Sequence, residues 1–405
     1  MKNVLILSLI YSPDNVSTAQ IMAGLAEDLR TAGHDVKVLT TTPHFHRDVS
    51  MEAKQPLRWC VWPILKMSEL NGVAIYHIPM PDKSIWPPLR MLSWIWFHAL
   101  GVLLVPFLGR MDVIIACSPP LTIGLAAWAM SVVKHCKYVY NVQELYPDIA
   151  VNLGKMKGWA VIRFFQGVER FIYRHAAFVT SITEGMCAKI RERTRPEKVM
   201  MIPNYVEIGG AVESCRFQGS SEWGERFTVC YAGNMGVPQN LGILVELAKL
   251  MPEIRVLFVG GGQDEARLKK MAEGLPNVEF RGYRPISEMP SVYAESDLFY
   301  VGQDPKAASD GIPSKIYRIL GQKKPLAVVT AEDSDLETFV KDSGGGFVVK
   351  DAVELAKRIK DGLAGSRGAF QHMGEVGYAY VRDNYSREKV CGMYAKLLDL
   401  IISNG

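Results

Sequence analysis

Apolar positions along this chain fall into two recurring patterns, short β-branched runs and longer stretches in which apolar residues return every three or four positions. The first pattern is that of buried strands and the second that of helices with one inward face. The opening run "VLILSLIY" is followed by helical spacing through "AQIMAGLAEDLRTAG", a stop at Gly33 and a second run, "HDVKVLTT", which together make a βαβ unit. The same alternation predicts strands at "VAIYHIP", "DVIIACS", "KYVYNVQ", "AFVTSIT" and "KVMMIPN", with helices between them, one over "KGWAVIRFFQGVERFIYRHA". From Asn204 to Arg226 the sequence turns polar and glycine-rich, as a linker does. The alternation then restarts with strands at "FTVCYAG", "IRVLFVGGG", "VEFRGY", "DLFYVG", "PLAVVT" and "GGFVV".

Strands and helices alternating in this way specify an α/β protein with doubly wound parallel sheets. We expect a Rossmann-like domain over residues 1–205, a linker over 206–226, a second Rossmann-like domain over 227–385, and a terminal helix over 386–405. Apolar spacing at Val390, Met393, Tyr394, Leu397 and Leu398 gives that helix a face with which to pack back toward the first domain. Ligands of such sheets bind outside the carboxyl ends of the strands. Function is therefore sought in a cleft onto which both sheets open.

Composition narrows the classes of partner. With 405 residues, 22% charged and 48% apolar, the chain is long enough for two full cores and shows no bias toward disorder. A formal charge of +4 lacks the dense basic stripe of a nucleic-acid binder but suits contact with an anionic membrane surface. The seven cysteines are scattered with no Cys-x-x-Cys pair, which argues against a disulfide framework or a metal site and for buried thiols in a cytoplasmic protein. The N-terminal "MKNVLILSLIYSPD" lacks a small-residue cleavage site and reads as a first buried strand rather than a signal peptide.

Three turns of the second half lie just past predicted strands: "YAGNMGVPQN" with Gly233, Asn234 and Gly236, "VGGGQDE" with Gly261 and Gly262, and "SDGIPSKIYR" with Asp310, Gly311, Ser314, Lys315 and Arg318. Glycine in such turns serves helix packing as readily as approach to phosphate, and Pro313 and Ser314 also suit a plain helix start. Three such turns at one end of one sheet nevertheless suggest a site for a nucleotide diphosphate, held by backbone N–H groups with Lys315 as counter-charge.

The order of "YAGNMG…NLGILVELA", "FVGGGQDEARL", "VEFRGY…ISEMPSVYAESDLFYV" and "GIPSKIYRILGQKKPLAVV" resembles the C-terminal half of the retaining glycosyltransferases of family four. In the first half "YSPD", "GHDVKVLTT", "ACSPPLTIGLAA" and "NVQELYPD" are similar to the branch that builds bacterial surface polysaccharides, amino-fucose transferases among them. The resemblance runs from Val4 to the final helix. It implies a GT-B fold, a nucleotide-sugar donor bound by the second domain, an acceptor bound by the first, and no cofactor or metal. By the same analogy Gly233, Asn234 and Gly236 approach the diphosphate while Ser314 and Lys315 neutralise it.

The chain departs from the family at several points. Asp310 and Arg318 stand in the frame where many members carry a pair of glutamates, and a guanidinium donates to ribose hydroxyls but accepts nothing from them. Asn234 and the "PQN" segment replace an Arg and a Lys, and Asn15, Val16, Ser17 and Thr18 occupy the first βα loop, an acceptor position, without the usual glycine pair. Gln143 and Glu144 in "NVQELYPD" are candidates for the cleft, where a carboxylate such as Glu144 would orient the acceptor or take its proton, with a cap or an ion pair as the alternative for Glu144 and a helix cap expected of Asp148. The "TTPHFHRD" loop adds His44 and His46, either catalytic or structural.

One further stretch bears on location. Met91 to Gly109 is an almost unbroken apolar run between Arg90 and Arg110, long enough to span a bilayer but interrupted by His98, Gly101 and Pro106. Five of eight tryptophans, Trp59, Trp62, Trp86, Trp94 and Trp96, lie in this part of the chain among Lys54, Arg58, Lys66, Lys83 and Arg90. Aromatics interleaved with cations suit a headgroup-level surface. The sequence as a whole thus reads as a transferase, peripheral on the cytoplasmic membrane, that moves a sugar from a nucleotide diphosphate, UDP in the first place, to a polyprenyl-diphosphate-linked saccharide. A nucleotide-sugar epimerase and a non-catalytic donor-binding subunit are the alternatives.

Overall fold

A computed structural model describes residues 1–405 apart from 15, 45–48, 82–86, 153, 155, 207–225, 286–287, 305–310, 366–367 and 404–405. Asn15, His46, Trp86, Asp310 and almost all of the expected linker lie outside the described residues. The chain divides into two compact units, Met1–Asn204 with Val390–Gly405, and Tyr205–Lys389.

The first unit runs β1 (Asn3–Ser8), α1 (Ser17–Thr31), β2 (Asp35–Thr41), α2 (Val49–Lys54), β3 (Arg58–Val61), β4 (Leu65–Leu70), β5 (Val73–Ile78), α3 (Pro87–Leu104), a 3₁₀ turn (Val105–Leu108), β6 (Val113–Cys117), α4 (Ile123–Lys134), β7 (Lys137–Val142), α5 (Asp148–Asn152), α6 (Trp159–His175), β8 (Phe178–Ser181), α7 (Glu184–Arg191) and β9 (Val199–Met201). Its sheet has the order β3-β4-β5-β2-β1-β6-β7-β8-β9. From β5 to β9 neighbouring strands are parallel, and the centre, such as the wholly buried "VIIAC" of β6, is apolar on both faces as a covered sheet requires. The edge departs from the parallel expectation, because β3, β4 and β5 form an antiparallel meander. Its signal was the Asn71-Gly72 pair, both at positive φ (50° and 77°), the pairing that two-residue hairpin turns demand.

Helices α3, α4 and α6 each carry the chain in the same direction across this sheet, so right-handed crossovers place them on one face. α4 lies between the other two. Gly101 of α3 sits where a Cβ would come within 2.6 Å of the Met130 side chain, and Gly124 where one would come within 2.5 Å of Ile172. Small residues thus let the three helices close up.

The second unit runs β10 (Thr228–Ala232), α8 (Gly242–Leu250), β11 (Arg255–Val259), α9 (Glu265–Met271), β12 (Val278–Arg281), α10 (Met289–Ala294), β13 (Leu298–Gly302), α11 (Lys315–Gly321), β14 (Leu326–Val329), α12 (Asp335–Ser343), β15 (Gly346–Val348), α13 (Ala352–Gly365) and α14 (Gly368–Tyr385). Its six strands are all parallel, in the order β12-β11-β10-β13-β14-β15. In the unit's own count this is 3-2-1-4-5-6, the doubly wound order whose crevice opens between strands 1 and 4, here β10 and β13. The last helix, α15 (Arg387–Ser403), belongs to the first unit from Val390 onward and buries Val390, Tyr394, Leu397, Leu398 and Ile401. Lys2 ties it down through the Leu398 carbonyl (3.2 Å) and the Asp399 carboxylate (2.8 Å).

Candidate functional site

In the second unit the turns after β10 and β11 are laced together. Gly233 N–H donates to the Val259 carbonyl (2.9 Å), Met235 N–H to that of Gly261 (2.9 Å), and Asp264 N–H to that of Met235 (2.9 Å). Three glycines here make room for backbone: a Cβ would fall 2.1 Å from the Gly233 carbonyl oxygen at Gly260, 2.4 Å from that of Met235 at Gly262, and 2.0 Å from that of Gln239 at Gly302. Gly262, expected at the donor, lets the Met235 backbone come close, and a Cβ at Gly261 would lie 3.1 Å from Glu265. Gly233 differs. A Cβ there would meet no backbone and would lie 3.7 Å from the Tyr231 hydroxyl and 3.9 Å from the Lys315 ammonium, with φ at +140°.

The third turn supplies that ammonium. Ser314 precedes α11 in helical conformation and makes no capping bond through its side chain. Lys315 opens α11 with Nζ 4.2 Å from the centre of the Tyr231 ring, a cation–π contact. Among the described residues this ammonium makes no hydrogen bond or ion pair, and burial lowers its pKa from 10.5 to about 8. The Tyr231 hydroxyl in turn donates to the Asn234 carbonyl (2.6 Å) and fixes the ring. Tyr231, which sequence reasoning left out, is the seat of the site's cation. Gly311 accepts from Gln303 Nε2 (3.5 Å), whose Oε1 accepts from Thr330 Oγ1 (3.3 Å), so the ends of β13 and β14 join the same edge. Arg318 is exposed one turn further along α11, with its charge reaching Tyr293. Gly236 packs on Gln239, and Asn234 is exposed beside it.

In the first unit the predicted residues lie at the carboxyl edge of the sheet but in two clusters. His44 is not a lone loop histidine. Its backbone N–H donates to Asp14 Oδ2 (3.2 Å), its Nδ1 lies 3.1 Å from Thr41 Oγ1 and 3.0 Å from the Thr42 carbonyl, and both His44 and Asp14 side chains are buried. Ser17 and Thr18 open α1 next to this pair, Ser17 exposed and Thr18 half-buried. A relay of buried polar groups supports the same loop. Ser12 Oγ donates to Gln55 Oε1 (3.0 Å), Gln55 Nε2 donates to Ser68 Oγ (2.9 Å), Ser68 lies 2.7 Å from His77 Nε2, and His77 Nδ1 lies 3.0 Å from the Thr41 carbonyl. That carbonyl only accepts, so Nδ1 carries the proton and Nε2 accepts from Ser68. Burial lowers the His77 pKa to about 4 and keeps the ring neutral.

The second cluster surrounds Gln143, whose amide is engaged at both ends. Its Nε2 donates to Asn141 Oδ1 (2.7 Å) and its Oε1 accepts from Asn204 Nδ2 (2.9 Å). Asn141 Nδ2 then donates to Thr180 Oγ1 (3.0 Å) and to the hydroxyl of Tyr394 (2.9 Å) on α15. Asn204 and Tyr394 stand on the two segments by which the chain leaves and re-enters this unit. Glu144, next in sequence, is exposed. Asp148, expected as a helix cap, starts α5 and pairs through its side chain with Arg193, which also holds buried Glu169 (2.8 and 3.1 Å). Burial raises the Glu169 pKa against the pull of Arg193, and Tyr173 donates to the same carboxylate (2.9 Å). Among the described residues no group of three His, Cys, Asp or Glu side chains gathers as a metal site would require.

Solved structures share this fold over nearly the whole chain. The sucrose-phosphate synthase of Thermosynechococcus elongatus superposes with a TM-score of 0.74 at 15% identity, all of both chains covered. HepE of Anabaena, solved with UDP and glucose, gives 0.70 at 14% over 98% of this chain and 100% of its own. The glycosyltransferase WaaG of lipopolysaccharide biosynthesis gives 0.64 at 15% over 98% and 99%. This is the GT-B architecture. Residues 18–205 match the glycosyl transferase 4-like domain and residues 216–377 the glycosyl transferases group 1 domain, so the chain belongs to the GT-B glycosyltransferases of the family-four type. Its sequence is 25% identical over 347 residues, 81% of this chain and 83% of the other, to WcaI of Escherichia coli (strain K12), assigned as a colanic acid biosynthesis glycosyl transferase. WbjE of Pseudomonas aeruginosa, assigned as a glycosyltransferase, is 22% identical over 264 residues, 62% of this chain and 66% of its own.

Proposed function

We propose that this glycosyltransferase moves a sugar from a nucleoside-diphosphate donor, UDP-linked, to a lipid-linked saccharide in bacterial surface-polysaccharide synthesis, with retention of anomeric configuration. The observation that carries the reading is the Lys315 ammonium, which among the described residues has the Tyr231 face and no counter-ion, set against the open side of Gly233 where β10 and β13 part. A diphosphate supplies the missing negative charge, and backbone groups of the Gly233 turn supply donors without a side chain in the way. HepE, of the same fold, was solved with UDP, which favours that nucleotide, and WcaI and WbjE favour a polysaccharide pathway.

The acceptor reading rests on the first unit. Asp14, His44, Ser17 and Thr18 line one loop cluster, and exposed Glu144 follows the braced Gln143 at another strand end. In this reading Glu144 orients the acceptor hydroxyl while Gln143 holds the loop. The leaving phosphate, with Lys315 beside it, takes the acceptor's proton, so neither a protein nucleophile nor a metal enters the step. The test is a panel of nucleotide sugars incubated with the purified protein and a bacterial lipid extract. Release of nucleoside diphosphate that needs both one donor and lipid, with a heavier lipid product, is the expected result. Change of the sugar without acceptor would replace this reading by an epimerase, and donor binding without release by a regulatory subunit.

A further inference from the structure

Helix α3 is apolar on both its inner and its outer face over most of its length. Phe97, Leu100 and Leu104 face inward and are buried in the core of the first unit, continued by Val105 and Leu108 of the 3₁₀ turn. The opposite stripe, at helical spacing, is equally apolar and stands in solvent, with Leu92 59%, Ile95 60%, Leu103 67% and then Phe107 83% exposed. An outward stripe on a soluble helix is ordinarily polar, and a contiguous apolar one marks an interaction surface. Met91–Leu108 is, among the described residues, the one helical stretch long and apolar enough to cross a bilayer. It cannot do so with this fold intact, because its inner stripe belongs to the core and the strand it leads to, β6, is paired between β1 and β7.

The neighbouring helices extend the same character. On α6, exposed Trp159 and Phe164 alternate with exposed Arg163, Arg170 and Arg174, and the Arg163 guanidinium lies 5.1 Å from the Trp159 ring centre. Lys134 at the end of α4 bonds to the carbonyls of Pro106 (3.0 Å) and Gly109 (2.6 Å), which brings a cation to the apolar turn. Helices α3, α4 and α6 with the 3₁₀ turn contain a single acidic residue, Glu169, and it is buried against Arg193. The face therefore presents apolar side chains and positive charge, with no exposed carboxylate of its own.

We infer that the outer stripe of α3, with its 3₁₀ turn and the Arg-rich face of α6, docks this unit in the plane of an anionic lipid bilayer. Apolar stripe and cations meet the two demands of interfacial binding, burial of apolar area at the acyl boundary and attraction to acidic headgroups. A second copy of this chain fits less well, since two such faces would bring like charges together. The inference deepens the lipid-linked acceptor proposed above by naming the face that meets the bilayer, and its test involves neither donor nor acceptor, so either reading can fail alone.

The experiment is flotation of the purified full-length protein with vesicles of phosphatidylcholine alone or mixed with phosphatidylglycerol. We expect flotation with the acidic vesicles, weakened by high salt, and at least a tenfold loss of the bound fraction in Ile95→Glu/Leu103→Glu. Because both positions point outward, the variant should keep its circular dichroism and melting temperature. Arg163→Gln/Arg170→Gln should lose the preference for acidic over neutral vesicles. The inference is overturned if the protein floats with neither vesicle, if both variants float like the parent, or if sedimentation shows a dimer that Ile95→Glu/Leu103→Glu dissolves.

Discussion

Lys315→Met keeps the apolar stem and removes only the charge, which makes it a direct probe of the donor site. In the empty protein that charge is a burden. Burial moves its pKa from 10.5 to about 8, a shift that at ~1.4 kcal/mol per unit corresponds to about 3 kcal/mol, an upper bound because the side chain is partly exposed. The cost is fully present below pH 8, where folded and unfolded chains both hold the proton, and it is relieved as pH rises from about 8 toward 10.5. Lys315→Met should therefore raise the melting temperature of the ligand-free protein at pH 7. Its affinity for UDP should fall, because a charge-assisted contact is worth about 1.5–3 kcal/mol, or about ten- to a hundredfold in Kd. Calorimetric titration of UDP against pH supplies the second arm. If the diphosphate needs the ammonium, the parent's Kd is flat below pH 8 and weakens toward about tenfold per unit above it, while the variant's stays flat. A parent Kd that does not change between neutral and alkaline pH, or a variant that binds UDP as the parent does, would refute the assignment of Lys315 to the phosphate.

Three other outcomes follow from the packing. Gly302→Ala sets a methyl 2.0 Å from the Gln239 carbonyl, and urea unfolding should show a loss of about 1–3 kcal/mol from forced backbone movement. Arg193→Met strands buried Glu169 and its neighbour Asp148, for which the same assay should read a loss of about 3–5 kcal/mol, larger than an exposed arginine produces. His77 and His98, both lowered to about 4 by burial, leave the folded chain holding fewer protons than the unfolded one between pH 6.5 and 4. Stability should fall as pH drops through that window by up to about 3 kcal/mol for each ring. His98→Leu, which removes a buried Nε2 without a partner among the described residues, should lessen the fall, and acid melts followed by circular dichroism would measure it.

The alternation of strands and helices was legible because parallel strands buried on both faces read as apolar runs, and every run quoted from "VLILSLIY" to "GGFVV" falls on a strand. The edge meander was not, since β3 is exposed throughout and has no apolar period to read; only the Asn71-Gly72 turn marked it. Helices α13 and α14 also went unrecognised, α14 for a related reason. "GAFQHMGEVGYAYVRDNY" spends Gly374 on a site where a Cβ would come within 2.1 Å of the Lys323 carbonyl, so a packing demand there displaces a helix-forming residue.

The site was legible to the degree that its chemistry sits in consecutive residues. Turns with Gly233 and Lys315 announce themselves, but that a Cβ at Gly233 would lie 3.9 Å from the Lys315 ammonium, beside Tyr231, depends on strand order, which no local pattern carries. The first unit makes the point more sharply. Gln143 was singled out as a reactive group, and the structure gives its amide partners at both ends, one on the segment that leaves the unit and one, through Asn141, on the hydroxyl of Tyr394 some 250 residues later in the chain, a separation of 253 from Asn141. A side chain held in this way is suited to fixing the backbone at the carboxyl end of β7, and a fixed backbone is what an exposed Glu144 needs to hold an acceptor hydroxyl in place. The polar pair therefore divides its work. In the proposed function Gln143 braces the loop and Glu144 meets the acceptor, a division that the amides around Gln143 suggest and the sequence pair alone does not.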